Sequence, residues 1–539
     1  MKPFLLLTLF LHLALASTPQ KPLKSQHQYG PSVASATENA NLIFNAIYSS
    51  MRQWGSSIQH NGVSFFPAYI PEGTLLYHGH PKAERAKGPE WLAFEIPHAE
   101  MFAKGWRRKP NSTGSENGKE HTEFMDLRNA PPQQLWGLEK PHPDPIEFVP
   151  GYLHIYQTAR PLKVLYLDGM AAANCDRGTL DSQDILLLNF TKGLYAERQR
   201  AQELCALGET WGVEGFIRME CGFELIKCDF EDGLDFISHK QRPDYMTLEA
   251  RTVMFLLDFI RDIASRYHGI DGGRVQLDYS SMVSAFFYPA NLSNPDKDPG
   301  QAALPRLVEA DKNVLQRIKS DLGDAVRKSK PNGSVDWQGV ADMIVKRLAP
   351  RLEWMAAGME QEMFLSQVNM LLNTFVDYEI DGEQDPVSAC SEHYLQPVQL
   401  STEQDRLIAA AFKTVTRRIC STLFYVRGIL LEKHQKNSTG IIEDVGSEVE
   451  LIRDLKEWLD WSDWKACGQC KVNEVCFIAV FPFGSEEDHN NPVRIISFVS
   501  SYFGLFRETG GGYPPILCFP QIFFAFQIPF KRSNVDWIF

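Results

Sequence analysis

Nothing in this 539-residue chain is both apolar enough and long enough to cross a bilayer as a helix, which takes about 20 residues. The run from Phe4 to Leu15 is too short, and the aromatic run from Ile516 to Phe530 is broken by Pro520 and Pro529. No transmembrane segment is therefore expected in the mature chain. Positive charge is also scarce, with 54 Lys and Arg against 67 Asp and Glu for a formal charge of −13. A phosphate-backbone binder shows a basic face or stripe, whereas Arg107-Arg108-Lys109 and Arg417-Arg418 are short clusters that read as solvated, so nucleic acid is not an expected partner. Also missing are a Gly-x-Ser-x-Gly nucleophile elbow, a His-Glu-x-x-His metal helix, a Gly-x-Gly-x-x-Gly phosphate turn and a calcium-loop acidic pattern. No internal repeat or heptad is visible.

What is present first concerns compartment. Lys2, the apolar run to Leu15 and Ala14-Leu15-Ala16 before Ser17 have the three parts of a secretory signal, with cleavage expected after Ala16. Residues 17–36 are polar and read as a flexible leader. Five sequons, at Asn111, Asn189, Asn291, Asn332 and Asn437, agree with a secreted glycoprotein. Asn189 follows the apolar Ile185 to Leu188, which argues for burial there. The ten cysteines, Cys175, Cys205, Cys221, Cys228, Cys390, Cys420, Cys467, Cys470, Cys476 and Cys518, form an even set that is expected to form disulfides in an oxidising compartment. Their spacing does not give the connectivity. Cys467-Gly-Gln-Cys470 lacks a second close pair or a His partner, so it reads as part of a disulfide cluster and no metal site is nominated.

Periodicity gives an α+β chain. A helix bearing Ile43, Ile47, Met51 and Trp54 on one face is expected to end at Gly55. Strands are expected at Val63–Ile70, Thr74–Tyr77, Trp91–Phe94, Tyr152–Tyr156, Leu162–Leu167, Phe216–Met219 and Phe223–Ile226, with the fourth and fifth forming a pair. A helix over 193–210 lies among them, and residues 107–150 read as a loop insertion. This mixed α/β domain, 37–240, is followed by a helical domain, 241–460. There an apolar helix runs from Leu248 to Tyr267, and Val314, Ile318, Leu322 and Val326 recur every fourth residue. Met355, Met359, Met363 and Met370 form a stripe read as core packing on one long helix ending near Tyr378. Ser401-Thr402-Glu403-Gln404 has a capping-box pattern before a helix to about Lys433. Residues 461–539 form a Cys- and Phe-rich tail.

The block Leu75-Leu76-Tyr77-His78-Gly79, then Trp91-Leu92-Ala93-Phe94, then Ala99 to Ala103, resembles the opening half of an ADP-ribosyltransferase-like fold, a resemblance extending over residues 70–230. In that family a His-Gly pair at a strand end meets the nicotinamide and its ribose, glycine permitting close approach, an aromatic stacks on the nicotinamide, and a Glu stabilises the cation that develops at the ribose carbon. The resemblance thus implies binding by Tyr77, Gly79 and Trp91 or Phe94, catalysis by His78 and Glu224, and NAD as substrate. Glu220 is the other acidic candidate, and Glu224 is preferred because a strand pattern follows it. The chain departs from the family pattern at His80, where a threonine is usual. The segments Leu76-Tyr77-His78-Gly79, Trp91 to Phe94 and Tyr166-Leu167-Asp168-Gly169-Met170 also resemble a group of uncharacterised secreted fungal proteins, which implies no activity.

A second cluster, Asp168, Asp176, Asp181 and Asp184, has the oxygen ligands for a hard cation, although such residues more commonly cap helices and turns. Two functions stand: NAD-dependent ADP-ribosyl transfer or NAD glycohydrolysis, and a non-catalytic extracellular binding protein. N-terminal sequencing of protein collected from a culture medium is expected to begin at Ser17.

Overall fold

The computed structural model describes residues 29–100, 102–108, 146–173, 178–193, 196–220, 222–243, 273–295, 304–331, 335–379, 385–437, 444–466, 475–477 and 493–495. The signal segment, Asn111, Asp176, Asn332, the 248–267 segment, Cys175, Cys221, Cys467, Cys470, Cys518 and the side chains of Asn437 and Cys476 lie outside that description.

Three short helices open it, Val33–Glu38 (α1), Ala40–Ser49 (α2) and Gln53–Ile58 (α3). Ser32 caps α1, its Oγ accepting from the Ser35 amide at 3.1 Å, so regular structure starts inside the stretch that composition assigns to a flexible leader. Ile43 and Ile47 are buried as their period requires. The helix nevertheless stops at Ser49, and Met51 takes a left-handed φ of 54°. Gly55 lies within α3 instead of ending a helix, because a Cβ there would collide with Ser49.

The strands Ser64–Ile70 (β1), Leu75–His80 (β2) and Glu90–Ala93 (β3) come next, followed by the short helix Ile96–Glu100 (α4). Lys104–Arg108 (β4) and Ile146–Pro150 (β5) pair with each other, so both ends of the expected loop insertion are strand. Tyr152–Thr158 (β6), Leu162–Leu167 (β7), the helix Glu197–Trp211 (α5), Gly215–Glu220 (β8), Gly222–Lys227 (β9) and Leu234–Gln241 (β10) complete this part. Two-residue strands Gln276–Leu277 (β11) and Val283–Ser284 (β12), within the stretch read as helical, both pair with β1.

These strands build a ten-stranded sheet in the order β10-β6-β2-β3-β9-β8-β7-β1-β11, with β12 also on β1. Only the β7–β8 pairing is parallel. β6 and β7, expected to pair with each other, do not: β6 lies between β10 and β2, and β7 between β8 and β1. The reason is that β1 and β2 pass together with β7 and β6 as one bent ribbon. Its bend is tied by Thr158, whose Oγ1 donates to the Pro71 carbonyl at 2.6 Å and accepts from the Thr74 amide at 2.9 Å. Flat, five strand spacings would separate β2 from β1 by about 24 Å, whereas the connection 71–74 spans at most about 17 Å. The sheet therefore curls.

The helices Lys312–Lys328 (α6), Trp337–Ala357 (α7), Gln361–Leu372 (α8), Pro386–Glu392 (α9), Glu403–Asn437 (α10) and Gly446–Leu459 (α11) follow. Val314, Ile318, Leu322 and Val326 are buried along α6 as their spacing dictates. The methionine stripe is not one core face. Gly358, at φ 88°, separates α7 from α8, and although Met355 is buried, Met363 and Met370 are 57% and 60% exposed. At α10 the cap is one residue later than the sequence pattern suggests: Thr402 Oγ1 accepts from the Asp405 amide at 3.0 Å, and Asp405 Oδ2 accepts from the amides of Ser401 and Thr402. Sheet and helices share one continuous apolar core reaching from Ala36 to Trp461. Among the described residues no helix is long and apolar enough to cross a membrane.

Two disulfides are formed, Cys205–Cys228 between α5 and the end of β9, and Cys390–Cys420 between α9 and α10. Opening the second, which closes a 30-residue separation, by replacing both cysteines with Ala is expected to cost about 3 kcal/mol, read as a lower denaturant midpoint.

Candidate active site

Directly paired residues of neighbouring strands point the same way, and one such row crosses the middle of the sheet. Tyr77 pairs with Ala93, Ala93 with Glu224, and Glu224 with Arg218. Two residues along each strand, Gly79, Trp91 and Glu220 share that face. α4 and the residues after it cover it, contributing His98 and Phe102, and the first turn of α5 contributes Glu197. Between them lies a narrow cleft of about 50 Å³, lined among others by Tyr77, His78, Gly79, Trp91, His98, Glu197, Arg218, Glu220 and Glu224.

Its floor is charged. Arg218 donates to Glu224 Oε1 from Nη2 at 2.6 Å and from Nε at 3.1 Å, to Glu197 Oε2 at 2.8 Å and to Gln183 Oε1 at 2.9 Å. Arg200, fully buried, donates to Asp184 Oδ1 at 2.7 Å and also pairs with Glu197. Burial pushes the Glu224 carboxyl above the ordinary carboxylate range and neighbouring Glu220 pushes the same way, against the pull of Arg218 and His98. His98 Nε2 stands 3.6 Å from Glu220 Oε1.

Tyr77, Gly79, Trp91 and Glu224, nominated from sequence, therefore meet in one cleft. His78 differs. Strand alternation turns its ring to the opposite face, where it is 2% exposed, its Nδ1 is 2.6 Å from the Trp91 carbonyl, and it packs beside Phe230, His80 and His154. Because β2 and β3 share a single residue pair, that contact braces the junction between them. Phe94 is buried in the core and is not among the lining residues. Gly79 does permit a close approach, but by protein: a Cβ there would run into the backbone of Ala99, Phe102 and Ala103.

The acidic cluster proposed for a hard cation is dispersed into protein contacts. Asp181 is held by Arg306 at 2.8 Å and the Leu307 amide at 2.9 Å, Asp184 by Arg200, and Asp168 is buried, its carboxyl pushed up to about 7 by that burial against hydrogen bonds from the Gly169 amide and Tyr166. Asn189, expected to be buried, is exposed, because it ends the π-type turn Ser182–Leu188 in a left-handed conformation. Asn291 is exposed too, its Oδ1 accepting from the Ser293 amide and hydroxyl.

His98 and Glu197 escaped the sequence reading. Each is an isolated residue on a helix, far in the chain from Glu220 and Glu224, and no spacing rule joins them. A family described as the YPL277C N-terminal domain matches residues 33–254, a span holding every residue of this cleft. The uncharacterized protein YPL277C of Saccharomyces cerevisiae is 30% identical over 377 residues, covering 59% of this chain and 74% of that one. The chain belongs to the YPL277C family. A second yeast relative, the uncharacterized protein YOR389W, is 27% identical over 529 residues, covering 82% of this chain and 81% of its own, so likeness to the family's members reaches well beyond the N-terminal domain. No solved structure matches.

Two outcomes follow from the two faces of β2. Gly79→Ala is expected to cost about 2 kcal/mol or more by forcing α4 away, measured by chemical denaturation. On the other face, burial and then the charge of His80 hold the His154 ring down to about 4 from an ordinary 6.5. The unfolded chain thus binds the extra proton first, so the stability due to neutral His154 is complete above pH 6.5 and is lost as pH falls through 4. Urea midpoints measured between pH 7 and pH 4 should decline, and less steeply in His154→Gln.

Proposed function

We propose that the cleft breaks the N-glycosidic bond of a nicotinamide dinucleotide, as an NAD glycohydrolase or ADP-ribosyltransferase of the extracellular space. The carrying observation is the juxtaposition of Tyr77, Trp91 and Glu224 on the neighbouring strands β2, β3 and β9, all on one face. Trp91 and Glu224 supply the aromatic and acidic elements of an ADP-ribosyltransferase-like site, with Tyr77 and Gly79 beside them, while the ring of His78, the histidine of the first element, lies on the other face. Two disulfides and the exposed sequons Asn189 and Asn291 support the secreted, glycosylated part of the reading.

In this reading Trp91, half-buried with the Arg198 guanidinium 5.6 Å from its ring centroid, stacks on the nicotinamide. Glu224 faces the ribose carbon. As the C–N bond lengthens, its electron pair leaves with nicotinamide, and the ionised carboxylate stabilises the positive charge left on the sugar. Water or an acceptor nucleophile then forms the new bond and gives up its proton. Arg218 holds Glu224 Oε1 and thereby fixes the carboxylate. His78 has no part in the chemistry; it braces β2 against β3.

Purified protein is expected to release nicotinamide from NAD, with Glu224→Gln reducing turnover per folded molecule about 100-fold or more. Because the Glu224 carboxyl is raised, the rate should fall on the acid side while the pH is still above the ordinary carboxylate range. In His78→Ala, loss of activity should track loss of folded protein. Wild-type protein that neither binds nor cleaves NAD would sink the reading. It would leave a non-catalytic binding protein, which the covering of Gly79 by α4 favours.

A further inference from the structure

We infer that His98, Glu220 and Glu224 bind a divalent transition-metal cation of the zinc type at the floor of the cleft. Each offers a ligand atom, and the three atoms lie within 4.8 Å of one another. Around tetrahedral zinc, with bonds of about 2.0–2.2 Å, ligand atoms stand about 3.4 Å apart. His98 Nε2 and Glu220 Oε1 are already at 3.6 Å, so small side-chain rotations complete the set. One imidazole and two carboxylates leave a coordination position for water or substrate, and the cleft supplies the way in.

Three independent observations favour a cation there. The first is an unanswered ring: His98 is 2% exposed, its Nδ1 has no hydrogen-bond partner, and its Nε2 stops beyond hydrogen-bond distance of Glu220. Nε2 thus faces a carboxylate without a hydrogen bond to it, and a metal between the two would supply the missing bond. The second is charge. Among the described residues, the carboxylates of Asp184, Glu197, Glu220 and Glu224 gather around the guanidinium groups of Arg200 and Arg218, four acidic groups to two basic ones. A divalent cation balances that excess. The third is the ligand's own freedom. Arg218 takes both its Glu224 hydrogen bonds on Oε1, and no described contact engages Oε2. Gly222, at φ 134°, makes the arrangement possible, since a Cβ there would stand 2.9 Å from His98 Nδ1.

The site shares Glu224 with the NAD reading but does not rest on it. It is tested without nucleotide, on the full chain stripped with a chelator and titrated calorimetrically with zinc chloride at pH 7. One equivalent should bind, with His98→Ala and Glu220→Gln each weakening binding by more than the 10- to 100-fold or so that loss of an outer-shell partner costs. Zinc should raise the melting temperature of the wild type and leave that of the variants unmoved. X-ray absorption at the zinc edge covers the case in which a variant does not fold, and should show nitrogen and oxygen neighbours without sulfur. Sub-stoichiometric binding, binding retained by both variants, or a sulfur shell from the cysteines would overturn the inference. Absence of NAD cleavage would leave it standing.

Discussion

The cleft depends on one buried guanidinium. Arg218 is 1% exposed and lies in the middle of β8, where a charge without partners would be untenable. Its partners come from three parts of the chain: Glu224 across the ladder on β9, Glu197 on α5, and Gln183 in the π-type turn before it. Removing any one carboxylate would leave the others' geometry undetermined, and removing Arg218 would strand two buried carboxylates, a loss of roughly 3–5 kcal/mol for a buried pair. The ion cluster consequently fixes where α5 begins on the sheet. Glu197 sits in the first turn of that helix, where the helix dipole also favours a negative charge.

A second constraint, the bent ribbon of β1–β2 and β6–β7, explains why those charges face an enclosed space. The short connections at Pro71–Thr74 and after Thr158 cannot span a flat sheet of this order, and so they draw its two wings round. The face that carries Tyr77, Glu224 and Arg218 is covered by α4 and the start of α5. The opposite face packs Leu76, Leu92 and Leu225 into the main core, which leaves His78 among aromatic rings.

Local patterns in the sequence carried the strands well, because β-branched and aromatic runs bounded by Pro and Gly mark them irrespective of partner. Partners themselves are a matter of topology. Nothing in Tyr152–Tyr156 or Leu162–Leu167 says that each will pair elsewhere, since the deciding hydrogen bonds belong to Thr158 and Pro71. The same limit applies at the site. That Tyr77, Trp91 and Glu224 come to one face was legible from a motif resemblance, whereas the resemblance does not say that the adjacent His78 ring turns to the other face, as period two requires. The methionine stripe failed for a related reason, because Gly358 interrupts the helix whose period it assumed.

Two glycines decide how deep the cleft is. At Gly79 the absent side chain admits the backbone of Ala99 to Ala103, and at Gly222 it admits the ring of His98. Both contacts press α4 toward the sheet from different strands, one on β2 and the other on β9. The single residue pair between β2 and β3 leaves that region weakly laddered, so α4 acts as a bridge over the weakest seam in the sheet while carrying His98 onto Glu220. Seam, bridge and imidazole are thus one structural unit. Any force that opens the β2–β3 junction also withdraws the nitrogen from the carboxylates, which ties the chemistry of the floor to the stability of its lid.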